Sequence, residues 1–91
     1  SACSPSISDD GNFMLFAAQK NQNDLWKIWE MNLKNLKVRL IISSNENCID
    51  PAYLPGKRLV FSKLSSNKLS NKEHSLFTCN IDGSQLNKIT F

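Results

Sequence analysis

Apolar positions fall in short runs along this chain, among them FMLFAA (13–18), IWEMNL (28–33), RLVF (58–61) and LFTCNI (76–81), with polar stretches between them. Residues two apart, such as Met31 and Leu33 or Leu59 and Phe61, share an apolar character. That period is the signature of strands. The stretches QKNQND (19–24), SSNEN (43–47) and SSNKLSNK (65–72) have loop compositions.

The segment 24–42 resists this reading. Trp26, Trp29, Leu33, Leu36 and Leu40 follow one another at steps of three and four, and Asp24 stands where an N-cap would. Periodicity alone chooses a helix. The competing reading takes Trp29, Met31 and Leu33 as one face of a first strand. Leu36, Val38 and Leu40 then form a face of a second, and Asn32 to Asn35 connect them.

An internal repeat decides for strands. SPSISDDGNFMLFAA (4–18) is followed 46 residues later by DPAYLPGKRLVFSKL (50–64), each a Pro, a polar turn with Gly, and an apolar run containing Phe. Downstream of the second copy, HSLFTCNIDGSQLNKITF (74–91) carries Asp82-Gly83 between two apolar runs, a strong hairpin signal. Residues 28–33 overlay on 76–81, and Arg39-Leu40-Ile41 on Lys88-Ile89-Thr90, so both copies read as β.

Each unit of about 45 residues then holds four short strands, the period of a propeller blade. The expected fold is all-β: two consecutive four-stranded antiparallel blades, residues 1–47 and 48–91. Gly11 and Gly56 supply positive φ between the first two strands, and a Val at either would strain that hairpin by about 1 kcal/mol or more. Pro5 and Pro51 suit the first residue of a strand, where a missing N–H does least harm.

Composition narrows the functional classes. The net charge of +3 comes from scattered Lys and Arg, with only Lys34, Lys37 and Arg39 close together, so no nucleic acid partner is implied. The longest wholly apolar run is 13–18, far below the roughly 20 residues of a membrane-spanning helix, so no transmembrane segment is expected. Cys3, Cys48 and Cys79 have no C-x-x-C spacing, so neither a zinc site nor any other metal or cofactor is indicated. Cys3 and Cys48 precede the two equivalent prolines and could pair, whereas Cys79 reads as a small buried hydrophobe. His74 has no partner at helical or strand spacing and reads as a surface residue. No hydrolase, metalloprotease or nucleotide-binding motif is present. Ser1-Ala2-Cys3 resembles the end of a bacterial lipoprotein signal, which would make Cys3 a lipid-anchor site.

These residues resemble the PD40, or TolB-like, group of WD40-like β-propeller repeats, with its pattern P-x-W-S-P-D-G, an apolar strand, an I-Y-x-x-D-x-D-G hairpin and a closing R-L-T. Pro5, Ile7, Ser8, Asp9, Gly11 and Phe16 match its opening, and Pro51, Tyr53, Pro55, Gly56, Leu59 and Phe61 match it again. Ile28-Trp29 and Leu76-Phe77 look like the I-Y pair, and Asn80-Ile81-Asp82-Gly83 like D-L-D-G. Asp10 is an extra residue in the first turn, and no Asp-Gly follows Leu33.

The resemblance implies a piece of a larger ring of about six to eight blades. It also implies an extracytoplasmic, bacterial, non-catalytic scaffold that binds a protein partner. The residues expected to carry binding are the loop tips Lys20, Asn21, Gln22, Asn23 and Asp24, and Asn67, Lys68, Asn71 and Lys72. Ser4 and Asp50 are expected at a channel rim, at the mouth ends of the innermost strands. Two alternatives stay open: a propeller that gates a prolyl-oligopeptidase-like or tricorn-like peptidase, and a carbohydrate-binding propeller using Trp26 or Tyr53 as stacking platforms.

Overall fold

A computed structural model describes residues 4–64 and 74–89. They form β1 (Ser6–Ile7), β2 (Phe13–Ala18), β3 (Lys27–Asn32), β4 (Val38–Ile42), β5 (Asn47–Leu54), β6 (Arg58–Leu64), β7 (His74–Asn80) and β8 (Asn87–Ile89). β1 to β4 make one antiparallel meander and β5 to β8 a second, each strand paired with the next.

The segment with helical spacing is therefore β3 and β4. Cross-strand packing overrides the helical stripe, because Trp29 lies between Phe16 on β2 and Leu40 on β4. Side chains facing one another across strands stabilise a sheet in a way that a lone amphipathic helix could not match here.

The registers superimpose the two sheets. Phe16–Trp29–Leu40 corresponds to Phe61–Phe77–Lys88, and Glu30–Arg39 to Thr78–Asn87. Arg39 is thus equivalent to Asn87, one residue away from the Lys88 that the sequence overlay selects. The overlay assumed a longer second connection. Measured between the paired residues Glu30 and Arg39, and Thr78 and Asn87, the two connections are equal in length, and the second combines a turn at Gly83 (φ 86) with a left-handed Gln85 (φ 54).

Pro51 also departs from expectation, since it lies inside β5 and is not the strand's first residue. Ile49 pairs with Ser62 and Ala52 with Val60, leaving Asp50 and Pro51 opposite Phe61 alone. This is a bulge, where an unpaired residue is the rule and a proline costs no ladder bond.

Partners across a ladder share a face, so burial shows how the sheets stack. On the first sheet the buried residues are Leu15, Ala17, Ile28, Glu30 and Ile42. On the second they include Cys48, Leu59, Phe61 and Cys79, which occupy the face equivalent to Met14, Phe16 and Met31. The two sets form one apolar layer between the sheets, bordered by Trp26, Ile41, Tyr53, Phe77 and Ile81. Cys79 is the buried hydrophobe that the sequence indicated. The face of Trp29 and Met31, which alternation singles out, points away from the second sheet and is half-buried. Its opposite face is the deeper one.

Polar bonds from the backbone help tie the sheets together. The Cys48 N–H donates to the Trp26 carbonyl at 2.9 Å, and the Trp26 N–H donates to Asn47 Oδ1 at 2.9 Å. The Tyr53 N–H donates to Ser6 Oγ at 3.2 Å. Gly83 backs onto β4, where a Cβ would lie 3.1 Å from the Ile41 carbonyl oxygen.

Candidate functional site

Three hairpin ends converge where the sheets meet, and each is shaped by its own turn chemistry. In the first, the Gly11 N–H donates to the Ser8 carbonyl at 2.9 Å, with Gly11 at φ 75. Asp10 Oδ1 accepts the Ser8 hydroxyl at 2.7 Å and the Asn12 N–H at 2.9 Å. These donors, the Ser8 hydroxyl first, hold the Asp10 carboxyl below its ordinary value. In the second, Pro55 precedes Gly56 (φ 80), the pair that a type II turn favours, followed by Lys57 at φ 59. The Lys57 carbonyl accepts the Ile81 N–H at 2.9 Å, which fastens this hairpin to the third.

Between them opens a cleft of about 630 Å³. Phe13, Leu54, Pro55 and Ile81 give it apolar walls, Asp9 and Asp10 contribute carboxylates, and Arg39 and Lys57 contribute cations. Glu30, Arg39 and Tyr53 form its polar base. Glu30 is only 4% exposed, although it sits in the middle of the second-from-outer strand β3. Arg39 donates from Nε and Nη2 to Glu30 Oε1 at 3.1 and 2.9 Å, and the Tyr53 hydroxyl donates to Oε2 at 2.7 Å. Both carboxylate oxygens are thus satisfied, as a buried charge requires. Burial pushes the Tyr53 phenol far above its ordinary value, and the Glu30 hydrogen bond and charge push it further. The phenol stays protonated and keeps donating.

Of the candidate binding residues singled out from the sequence, Tyr53 lines this cleft, and the candidate loop-tip and rim residues that the structure describes do not. Lys20, Asn21, Gln22 and Asn23 are exposed in the β2–β3 loop, with Lys20 Nζ 6.0 Å from the Trp29 ring centre. Gln19 Nε2 donates to the Asp24 carbonyl at 2.9 Å, and the Asp24 N–H to the Asn21 carbonyl at 3.1 Å, so the loop braces itself. Ser4 is exposed ahead of β1, and Asp50 is exposed at the bulge within β5 with φ 54, away from the strand's end. Cys3, Asn67, Lys68, Asn71 and Lys72 lie outside the described residues. Trp26 and Tyr53 are half-buried and pack against the core. Arg39, one of the three clustered cations, has its charge taken up by Glu30.

Sequence reasoning missed Glu30, Arg39 and Lys57. A signal was available for the first pair. Glu30 is a carboxylate among apolar residues in KIWEMN, and Arg39 stands across the following hairpin.

Two stacked four-stranded meanders, opposed face to face with a cleft at their hairpin ends, are adjacent blades of a β-propeller. A solved structure bears this out: TolB from Acinetobacter baumannii matches with a TM-score of 0.69 and 26% identity, over 98% of this chain and 21% of that chain. The chain is similar in fold to two blades of that TolB propeller and spans about a fifth of the length of that TolB chain. No family model and no curated protein matches the sequence.

Proposed function

We propose that this chain, with residues 1–47 and 48–91 as one blade each, is part of a non-catalytic propeller scaffold that binds a protein partner in the cell envelope or the exported fraction. The likeness to TolB along nearly the whole chain carries this reading. The inter-blade cleft is the surface best suited to the task. It offers apolar walls beside charges of both signs, the mixture that a polypeptide segment with its own side chains can satisfy. Its base is fixed by the Glu30 network, so a partner meets a preformed surface. Lys20, Asn21, Gln22, Asn23, Asp24, Asn67, Lys68, Asn71 and Lys72, together with Ser4 and Asp50, are the candidates for secondary contacts.

Retention of envelope proteins on the immobilised chain tests this. Wild-type chain is expected to retain a protein that Lys57→Glu releases and Lys20→Glu does not. Retention indifferent to Lys57→Glu, or no retained protein, would overturn the role of the cleft.

A further inference from the structure

The cleft continues beyond the junction of the two blades. A second hollow of about 360 Å³ shares Phe13, Glu30 and Arg39 with it and reaches Asn32, Asn35 and Lys37 at the β3–β4 turn. Partners across a ladder share a face, and here Leu15 pairs with Glu30, Phe13 with Asn32 and Glu30 with Arg39. The groove therefore runs along the face of blade 1 that is turned toward blade 2.

Its outer stretch can donate hydrogen bonds but has little left to accept them. Asn32 Oδ1 accepts the Lys34 N–H and Asn35 Oδ1 the Lys37 N–H, both at 2.9 Å, so the carbonyl ends of these amides are spent on the turn. Their Nδ2 groups are what they can offer a ligand. Glu30 has one oxygen engaged by Arg39 and the other by Tyr53. Arg39 uses Nε and Nη2 there, yet its side chain is 54% exposed, which leaves Nη1 available at the groove. Lys37 is exposed beside it, and its charge is not balanced by Glu30. Asp9 and Asp10 line only the inner part of the groove, by the β1–β2 turn.

A set of cationic and amide donors without competing acceptors suits carboxylates. The same groove has apolar walls, Phe13, Leu54, Pro55 and Ile81 at the junction and Val38 farther out, which a small anion does not use. A polypeptide segment that carries both kinds of side chain uses the whole length. We infer that the groove docks an extended acidic segment of another protein, with an apolar side chain at the inter-blade junction and carboxylates running outward onto Arg39, Lys37 and the amides of Asn32 and Asn35. This deepens the reading of the cleft as a partner surface and rests on it.

Fluorescence anisotropy on the 91-residue chain tests this with a labelled peptide in which a pair of leucines precedes a run of glutamates, beside a copy with glutamines in their place. The glutamate peptide is expected to bind at least about tenfold more tightly than the glutamine copy, and high salt to narrow the gap. Lys37→Glu, on an exposed turn, is expected to weaken the glutamate peptide about tenfold and to leave the glutamine copy unchanged. Lys37→Arg is expected to bind like wild type. Lys20→Glu, the same charge reversal at the opposite end of the strands, is expected to have no effect, and circular dichroism shows each variant folded. Equal binding of the two peptides, or full binding by Lys37→Glu, overturns the acidic preference even where Lys57→Glu still releases a retained protein and so upholds the cleft. A glutamate peptide that does not bind overturns the inference. A glutamate peptide lacking the leucines that binds equally well makes this an anion site only and overturns it too.

Discussion

In blade 1 the interface is made by Leu15, Ala17 and Ile28; in blade 2 it is made by Leu59, Phe61 and Cys79, one position out of phase by strand register. The blades share their topology yet bury opposite faces. Place in the stack, and not the alternation within a blade, decides which face is covered. The interface also differs chemically on its two sides. Blade 1 brings the charged Glu30 to it, whereas the equivalent Thr78 of blade 2 lies on the outer face, beside Arg58.

The sharpest way to break this comparison is to truncate equivalent phenylalanines. Phe61 is fully buried and stacks on Phe77 with ring centres 5.7 Å apart, so Phe61→Ala is expected to cost about 3–5 kcal/mol. Phe16, its half-buried equivalent on the outer face, is expected to cost no more than about 1–2 kcal/mol in the monomer. Urea midpoints at low protein concentration separate the two. Equal losses would mean that the outer face of blade 1 is as firmly packed as the interface.

Next in size is the bond that joins the blades at the cleft. Tyr53→Phe keeps the ring but removes a hydrogen bond to a charged, buried carboxylate, a loss of about 2 kcal/mol. Its pH dependence has a definite sign. The phenol is raised in the fold, so its contribution is fully present below the unfolded value of about 10 and is lost as pH rises above it. Burial raises the Cys48 and Cys79 thiols too, so among the described residues alkaline destabilisation has sources beside Tyr53. Urea melts from pH 8 upward should therefore show a shallower decline for Tyr53→Phe than for wild type. Parallel declines would place the alkaline sensitivity in the thiols.

The strands were legible because alternation and the Asp82-Gly83 turn are local signals that survive into the fold. The cleft was not. Glu30, Arg39 and Lys57 come from β3, β4 and the β5–β6 hairpin, and only stacking of the sheets brings them together. Polar loop composition drew attention instead to Lys20 through Asp24, a loop whose side chains largely satisfy its own backbone. Pro51 misled for a related reason. Nothing in DPAY announces that Asp50 takes φ 54 and turns the proline into part of a bulge within a longer strand.

The blades diverge again at their outer hairpins, where the third prediction lies. Gly83 has φ 86, and a Cβ there would also press on the Ile41 carbonyl, so Gly83→Ala is expected to cost about 1–2 kcal/mol. A thermal midpoint that does not fall would show that β4 can retreat from this hairpin.

The corresponding turn of blade 1 has no glycine, and the smallest effect is expected there with the opposite sign. Leu36 is left-handed at φ 63 and 66% exposed, and its N–H donates to the Asn32 carbonyl at 2.7 Å. Asn32 and Asn35 hold the turn by accepting backbone N–H groups of Lys34 and Lys37, both at 2.9 Å. The leucine side chain therefore pays a conformational penalty without gaining burial. Leu36→Gly removes a strain of about 1–2 kcal/mol, but the looser unfolded chain returns part of it, so the net gain is expected to stay below about 1 kcal/mol. Leu36→Asn tolerates the same φ without glycine's entropy and should match or exceed it. Thermal midpoints for the two variants decide the matter: a fall in both would show that Leu36 earns its place by packing.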